Sequence, residues 1–161
     1  MTTKTNTPAA THAAKRLARL AAVQALYQNH YEQQPLAQIV QDSAAHEFAG
    51  LRDDVDGGEA IPGSPDAELF GDIVRGVAAN LAALDEMIAG ALDARLSPSR
   101  LELLLRSILR AGVYELLHHV KIPAGVIIND YVDVTRSFFN GKESGLVNGV
   151  LDKLAGKLRA A

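Results

Sequence analysis

The sequence has no cysteine and no tryptophan, and aromatic residues make up only 5% of its 161 positions. The lack of cysteine excludes disulfides, thiol catalysis and zinc fingers, and it is compatible with a reducing cytoplasm. The few aromatic residues, set against abundant alanine and leucine, favour an all-α protein over a β-sandwich or a β-barrel. The length predicts one domain that is large enough to bury a core.

Long apolar runs are also missing. No stretch approaches the ~18–20 consecutive apolar residues that cross a bilayer, and the polar start of the chain contains no signal-peptide apolar region. Residues 1–12 are predicted to form a disordered tail, with Thr11 capping the first helix. Residues 13–160 are predicted to form a single helical domain, and we expect it in the cytoplasm.

Acidic residues are absent from the first 31 positions, where Lys4, Lys15, Arg16 and Arg19 give a charge of +4. Residues 32–93 carry thirteen acids against two arginines, and residues 94–161 carry ten bases against six acids. This segregation predicts a cationic face if the two ends of the chain meet in space.

Apolar residues recur at helical spacing through most of the chain. A first helix is predicted at 11–31, buried toward its C-terminal end and exposing Lys15, Arg16 and Arg19 on the side that also carries apolar residues. Further helices are predicted at about 36–48, from Asp66 to about Leu92, from Ser97-Pro98 to about Leu117, from Pro123 to Asn140-Gly141, and at 144–158. Residues 49–65, rich in Gly, Pro and Asp, are interpreted as a long exposed acidic loop.

The helix after Pro98 has the clearest apolar stripe of the chain. Gly112 lies inside that stripe, and close approach of another helix would explain a glycine there. We therefore expect this helix at the centre of the core, with Glu115 and His119 largely outside the stripe.

No pattern of catalysis or metal binding emerges. The five histidines lack ligand spacing, and His118 and His119 are adjacent, so on a helix they would point about 100° apart. We therefore expect neither an enzyme nor a bound metal or cofactor.

The cationic residues of the first helix fit phosphate contacts, and Tyr27 is able to stack on a base. On these residues alone, a helical protein-interaction module is an equally open interpretation.

Four stretches resemble the bacterial NusB family of transcription antitermination factors. They are AAKRLARLAAVQALY at 13–27, ILRAGVYELL at 108–117, PAGVIIND at 123–130 and LVNGVLDKL at 146–154. Their order and spacing agree with that family from about residue 13 to residue 159.

The resemblance implies an all-α fold of six or seven helices in two small subdomains. It also implies a cytoplasmic factor that binds, together with the small-subunit ribosomal protein NusE, the boxA element of ribosomal RNA leader transcripts. With other Nus factors such a protein makes RNA polymerase resistant to termination. An RNA methyltransferase with a NusB-like domain is the enzymatic alternative, but no Gly-rich sequence follows the last predicted helix.

By position, the resemblance assigns RNA contacts to Lys15, Arg16, Arg19 and Tyr27. Leu146 stands where the family has a phenylalanine near RNA, and Asn148 matches the asparagine of the family's VNG sequence. A leucine makes apolar contact with a base but cannot stack on it. If the start of the last helix lies beside the exposed part of the first, the two form one RNA site.

The surface for the NusE-like partner is assigned to Tyr114, Glu115, Lys142 and Glu143. Lys142 or Glu143 takes the place of a family aspartate near that contact, depending on a one-residue shift. For Tyr114, a place at the edge of the core is the favoured alternative. An adaptor that binds protein but little RNA is the alternative function.

Overall fold

The computed structural model of the protein describes residues 8–32, 66–93 and 101–159. These residues form six α-helices and no β-strand, as the all-α prediction requires. The helices are α1 (Pro8–Glu32), α2 (Ala67–Ala79), α3 (Leu81–Ala91), α4 (Leu103–His118), α5 (Ala124–Phe138) and α6 (Glu143–Leu158). None of the described helices is both long and apolar enough to cross a membrane. The predicted helix at 36–48 and the predicted loop at 49–65 lie outside the described residues.

The first helix begins earlier than the sequence pattern suggested. Pro8 is its first residue, where the missing backbone N–H costs no hydrogen bond. Residues 8–12, assigned to a disordered tail, therefore belong to α1, and Thr11 lies within the helix instead of capping it. The remainder of the predicted tail, residues 1–7, lies outside the described residues.

The single helix predicted from Asp66 to about Leu92 is wrong, because the chain leaves helical geometry at Asn80. This residue has φ −127° and ψ 22°, and its side-chain Nδ2 donates to the Gly76 carbonyl at 2.7 Å. The break separates α2 from α3. Leu81, expected in the core, directly follows the break and is 42% exposed, whereas Leu84 is buried.

Helix α4 lies at the centre of the fold and packs against all five other described helices. Most of its apolar side chains are buried in one continuous core to which every described helix contributes. A Cβ on Gly112 would come within 2.9 Å of the Leu151 methyl groups, which confirms the close helix approach expected there. Helix α3 is held to α4 by two Arg110–Asp85 hydrogen bonds of 2.7 Å.

The last two helices closely follow their predicted bounds. Pro123 immediately precedes α5, and α6 starts at Glu143, one residue before the predicted start. After α6, the Arg159 guanidinium donates to the carbonyls of Leu116 (3.0 Å), His119 (2.8 Å) and Ile122. The end of α6 is thus tied to the turn that connects α4 with α5.

Candidate nucleic-acid interface

The three cations of α1 occupy different environments. Lys15 is partly exposed, and the Arg16 side chain is 51% exposed. Arg19, one helical turn further on, is only 1% exposed. The predicted cationic head is therefore limited to Lys15 and Arg16 among these three.

Arg19 is buried because two carboxylates from other helices neutralise it. Its Nε and Nη2 donate to the two oxygens of Glu115 at 2.7 and 2.9 Å, and its Nη1 donates to Asp130 Oδ2 at 2.7 Å. Both carboxylates are fully buried. Such bidentate pairing offsets part of the desolvation of the charges. The assignments of Arg19 to phosphate contact and of Glu115 to a docking surface are corrected accordingly, since neither side chain reaches the surface.

The pKa values of this cluster reflect competition between burial and pairing. Burial alone would raise the pKa of Glu115, but hydrogen bonds from His119 and Arg19, together with the Arg19 charge, lower it to about 2. Burial also raises the pKa of Tyr131, whose hydroxyl donates to Glu115 Oε2 at 2.5 Å. Glu115 is consequently ionised inside the bundle at neutral pH.

A second branch of the network runs from Glu115 toward the surface through His119. Its Nδ1 lies 2.9 Å from Glu115 Oε1, and its Nε2 lies 2.6 Å from Asp72 Oδ2. The hydrogen bond to Glu115 raises the pKa of His119, burial opposes that rise, and Asp72 supports it. Both histidine rings pack on Tyr114, His118 at 4.7 Å and His119 at 5.6 Å between ring centroids, but of the two it is the partly buried His119 that joins the carboxylates.

Tyr114 lies at the edge of the core, as the alternative interpretation had it. It is buried, and its hydroxyl donates to the two Asp72 oxygens at 3.2 Å each. Its ring fills the space beside Gly76, where a Cβ would lie 2.1 Å from ring atom Cζ. The assignment of Tyr114 to the partner surface is therefore corrected.

The N-terminal half of α1 packs against acidic residues of α5. Arg16 lies 3.6 Å from Asp130 and 3.5 Å from Asp133, and His12 Nε2 lies 2.9 Å from Asp130 Oδ1. Arg16 thus shares its charge between these carboxylates and the solvent. Lys15 faces a different side, where it lines two adjoining grooves.

The other assigned residues lie farther along α1 and at the start of α6. Tyr27 and Leu146 are partly buried, whereas Asn148 and Lys142 are exposed. Glu143 is partly buried, and its Oε2 accepts a hydrogen bond from the Gly141 backbone N–H at 3.1 Å. Helices α1 and α6 both pack against α5 and α4. The two ends of the chain therefore share α4 and α5 as neighbours.

Comparison with known proteins identifies the family to which this chain belongs. A profile of the NusB family matches residues 16–156, which is most of the chain. The chain belongs to the NusB family. A relative named transcription antitermination protein NusB, from Sphingopyxis alaskensis, is 39% identical over 142 residues, covering 88% of this chain and 92% of its own. A relative of the same name from Rhizobium etli is 42% identical over 156 residues, covering 97% and 94%.

Solved structures agree with this family assignment. T. maritima NusB is 27% identical, with a TM-score of 0.70 over 88% of this chain and 90% of the other. A chain from the crystal structure of antitermination factors NusB and NusE in complex with dsRNA also has a TM-score of 0.70, covering 94% and 99%. At 20% identity, the second likeness shows the fold alone.

In this NusB-family chain, sequence reasoning missed three members of the hydrogen-bond network that includes the buried arginine. Asp130, Tyr131 and Asp72 carried no assigned role, although Asp130 bonds to Arg19, Tyr131 to Glu115 and Asp72 to His119. One signal was present, because the α1 cations share a helix side with apolar residues. A cation on such a side is expected to find a buried anion.

Proposed function

We propose that this NusB-family protein is a transcription antitermination factor that acts by binding and not by catalysis. Its ligand is the boxA element of ribosomal RNA leader transcripts, which it binds together with a NusE-like ribosomal protein. It works in the cytoplasm, with RNA polymerase and other Nus factors. The observation that carries the proposal is the family match over residues 16–156, supported by relatives at about 40% identity that are named antitermination proteins.

The RNA surface in this proposal starts at the exposed cations of α1. Lys15 and Arg16 contact phosphates, whereas Arg19 holds α1 in place from the interior. Tyr27, Leu146 and Asn148 address bases, with Leu146 offering apolar contact only. All three reach the surface at least in part, as this role requires.

Fewer residues are proposed to contact the NusE-like protein than the sequence analysis assigned to that surface. Lys142 and Glu143, at the start of α6, retain their proposed contact with the NusE-like protein because both have exposed side-chain area. Tyr114 and Glu115 are buried in the fold and are left out of the contact.

The test is a titration of labelled boxA RNA with and without the NusE-like protein, from about 50 to about 200 mM salt. Each lost phosphate contact on single-stranded RNA lowers the salt slope by about 0.7, which is about fivefold in affinity near 0.1 M salt. We therefore expect Lys15→Ala plus Arg16→Ala to weaken binding substantially. The matched control is Lys153→Ala plus Lys157→Ala, which removes two exposed charges from α6.

Two outcomes would contradict the proposal in different ways. Equal RNA binding by the α1 double variant and its control would show that Lys15 and Arg16 do not contact the RNA. No RNA retention by the wild-type protein, even with the NusE-like partner present, would leave the adaptor function in its place.

A further inference from the structure

A groove of about 500 Å³ lies between the N-terminal half of α1 and the start of α5. Lys15 lines it from α1, and Lys121 lines it from the turn that connects α4 with α5. Ile122, Pro123 and Val126 provide apolar lining. We propose that this groove binds one nucleotide of the RNA strand, with the phosphate between Lys15 and Lys121 and the base on the apolar lining. This inference rests on the proposed function and extends it to residues that the family resemblance did not assign.

The charge of the groove suits a phosphate. Among the described residues, none of those that line it is acidic. Arg19 lies at the groove but is already neutralised by Glu115 and Asp130, and His12 is hydrogen-bonded to Asp130. The two lysines consequently set the sign of the potential, and they approach from separate elements of the fold. An anion between them is attracted by both.

The apolar lining suits a base. Pro123 is exposed, and Ile122 and Val126 are partly exposed, so an apolar surface is available beside the two ammonium groups. Single-stranded RNA is recognised by proteins that combine a cationic path for the backbone with apolar or aromatic surface for unstacked bases. The volume also falls within the range of about 300–1,000 Å³ that small-ligand sites have.

The groove is held in shape before any ligand arrives. Arg159 donates to the carbonyls of His119 and Ile122, on either side of Lys121. The Ile122 backbone N–H also donates to the His119 carbonyl at 3.0 Å, closing the turn. A fixed turn lowers the entropy lost when a ligand is bound.

A second groove, of about 440 Å³, adjoins the first and indicates where the RNA strand does not go. It shares Lys15, Lys121 and Ile122, but its other wall carries Asp66, Glu68 and Asp72. These carboxylates would repel a polyanion. The strand therefore leaves the first groove along α1, away from the start of α2.

The inference is tested with Lys121→Ala and Lys121→Glu in the full-length protein, each with its matched control, Lys153→Ala or Lys153→Glu. Both lysines are exposed, and the paired variants change the net charge equally. In the presence of the NusE-like protein, we expect Lys121→Ala to weaken boxA RNA binding about fivefold near 0.1 M salt and to lower the salt slope by about 0.7. Lys121→Glu should weaken it further, whereas the Lys153 variants should differ little from the wild type.

A photo-crosslinking measurement supplies an independent readout. RNA carrying 4-thiouridine should crosslink to the segment 121–126, and Lys121→Glu should reduce that yield without changing thermal melting. If Lys121→Glu and Lys153→Glu bind RNA equally while the wild type binds well, the groove is not an RNA site and the proposed function stands. A Lys121→Glu defect confined to binding of the protein partner would also overturn the inference. If the wild type binds no RNA, both fail.

Discussion

At the scale of single residues, Arg19 carries its charge in the interior because carboxylates from α4 and α5 reach it. Removing one member of a buried ion-pair network leaves uncompensated charge and costs about 3–5 kcal/mol. We expect Arg19→Ala to lose about that much free energy of unfolding in urea, since Glu115 and Asp130 would both lose their main cationic partner.

Arg16→Ala is the control for this change, because it removes an exposed arginine three residues away. Exposed ion pairs contribute about 0–1 kcal/mol, so Arg16→Ala should barely change unfolding. Equal stability of Arg19→Ala and the wild type would contradict the buried network.

The network also makes the free energy of unfolding decrease toward both low and high pH. The folded pKa of Glu115 is about 2, below its ordinary value of 4.5, so its contribution is present above pH 4.5 and lost as the pH falls toward 2. The folded pKa of His119 is raised above 6.5, so its contribution is complete below pH 6.5 and lost as the pH rises through the folded pKa. These two groups together stabilise the fold most between about pH 4.5 and 6.5.

A substitution of His119 separates its contribution to the pH dependence from that of Glu115. We expect His119→Gln to lower stability near pH 6 and to flatten its decline above pH 6.5, in urea unfolding from about pH 4 to about pH 9. His118→Gln is the neighbouring control, because its exposed ring packs on Tyr114 as the His119 ring does, whereas of the two histidines it is His119 that is hydrogen-bonded to Glu115 and Asp72. A decline that persists unchanged in His119→Gln would assign it to another group.

At the scale of elements, the contact between α2 and α4 depends on a glycine. A Cβ on Gly76 would lie 2.1 Å from Cζ of the Tyr114 ring, which is rigid and buried. Alanine favours a helix by about 1 kcal/mol over glycine, but overpacking typically costs about 1–3 kcal/mol. We expect Gly76→Ala to be destabilising in thermal and urea unfolding, because the clash outweighs the propensity.

For Gly156→Ala, on α6, we expect the opposite effect on stability. Within the part of the chain that the structure describes, a Cβ at that position would meet no atom within 4 Å other than its chain neighbours and the backbone of its own helix, so only the gain in helix propensity remains. Gly156→Ala should therefore match or exceed the wild type in stability. Similar effects of the two substitutions would show that packing of α2 on α4 is looser than the contact at Gly76 implies.

The elements also show which features the sequence could predict. The bounds of α5 and α6 followed from local signals, because Pro123 precedes α5 and Asn140-Gly141 lies between the two helices. The break at Asn80 was missed, because apolar residues keep three- and four-residue spacing across it. The partner of Arg19 was missed for a different reason: Glu115 lies 96 residues away, and no local pattern encodes that pairing.

At the scale of the whole molecule, the segregated charges partly cancel where the helices pack. The basic α1 meets acidic residues of α5, where Arg16 lies 3.5 Å from Asp133 and Arg19 lies 2.7 Å from Asp130. The cationic surface near α1 is consequently smaller than the sequence suggested, with Lys15, Lys121 and part of Arg16 carrying it. This explains why a few substitutions are expected to dominate the salt dependence.

Arg159, which follows α6, supports that surface without lining the groove. Its guanidinium donates to the carbonyls of His119 and Ile122, on either side of Lys121, and so ties the end of α6 to this turn. We expect Arg159→Ala to weaken boxA RNA binding by releasing the turn, and to speed backbone hydrogen exchange at residues 119–122. Lysine has a single ammonium in place of the planar guanidinium fork, so Arg159→Lys should restore only part of both properties. If Arg159 acts through Lys121, Arg159→Ala should add little to the binding defect of Lys121→Ala, whereas fully additive defects would mean that the two act separately.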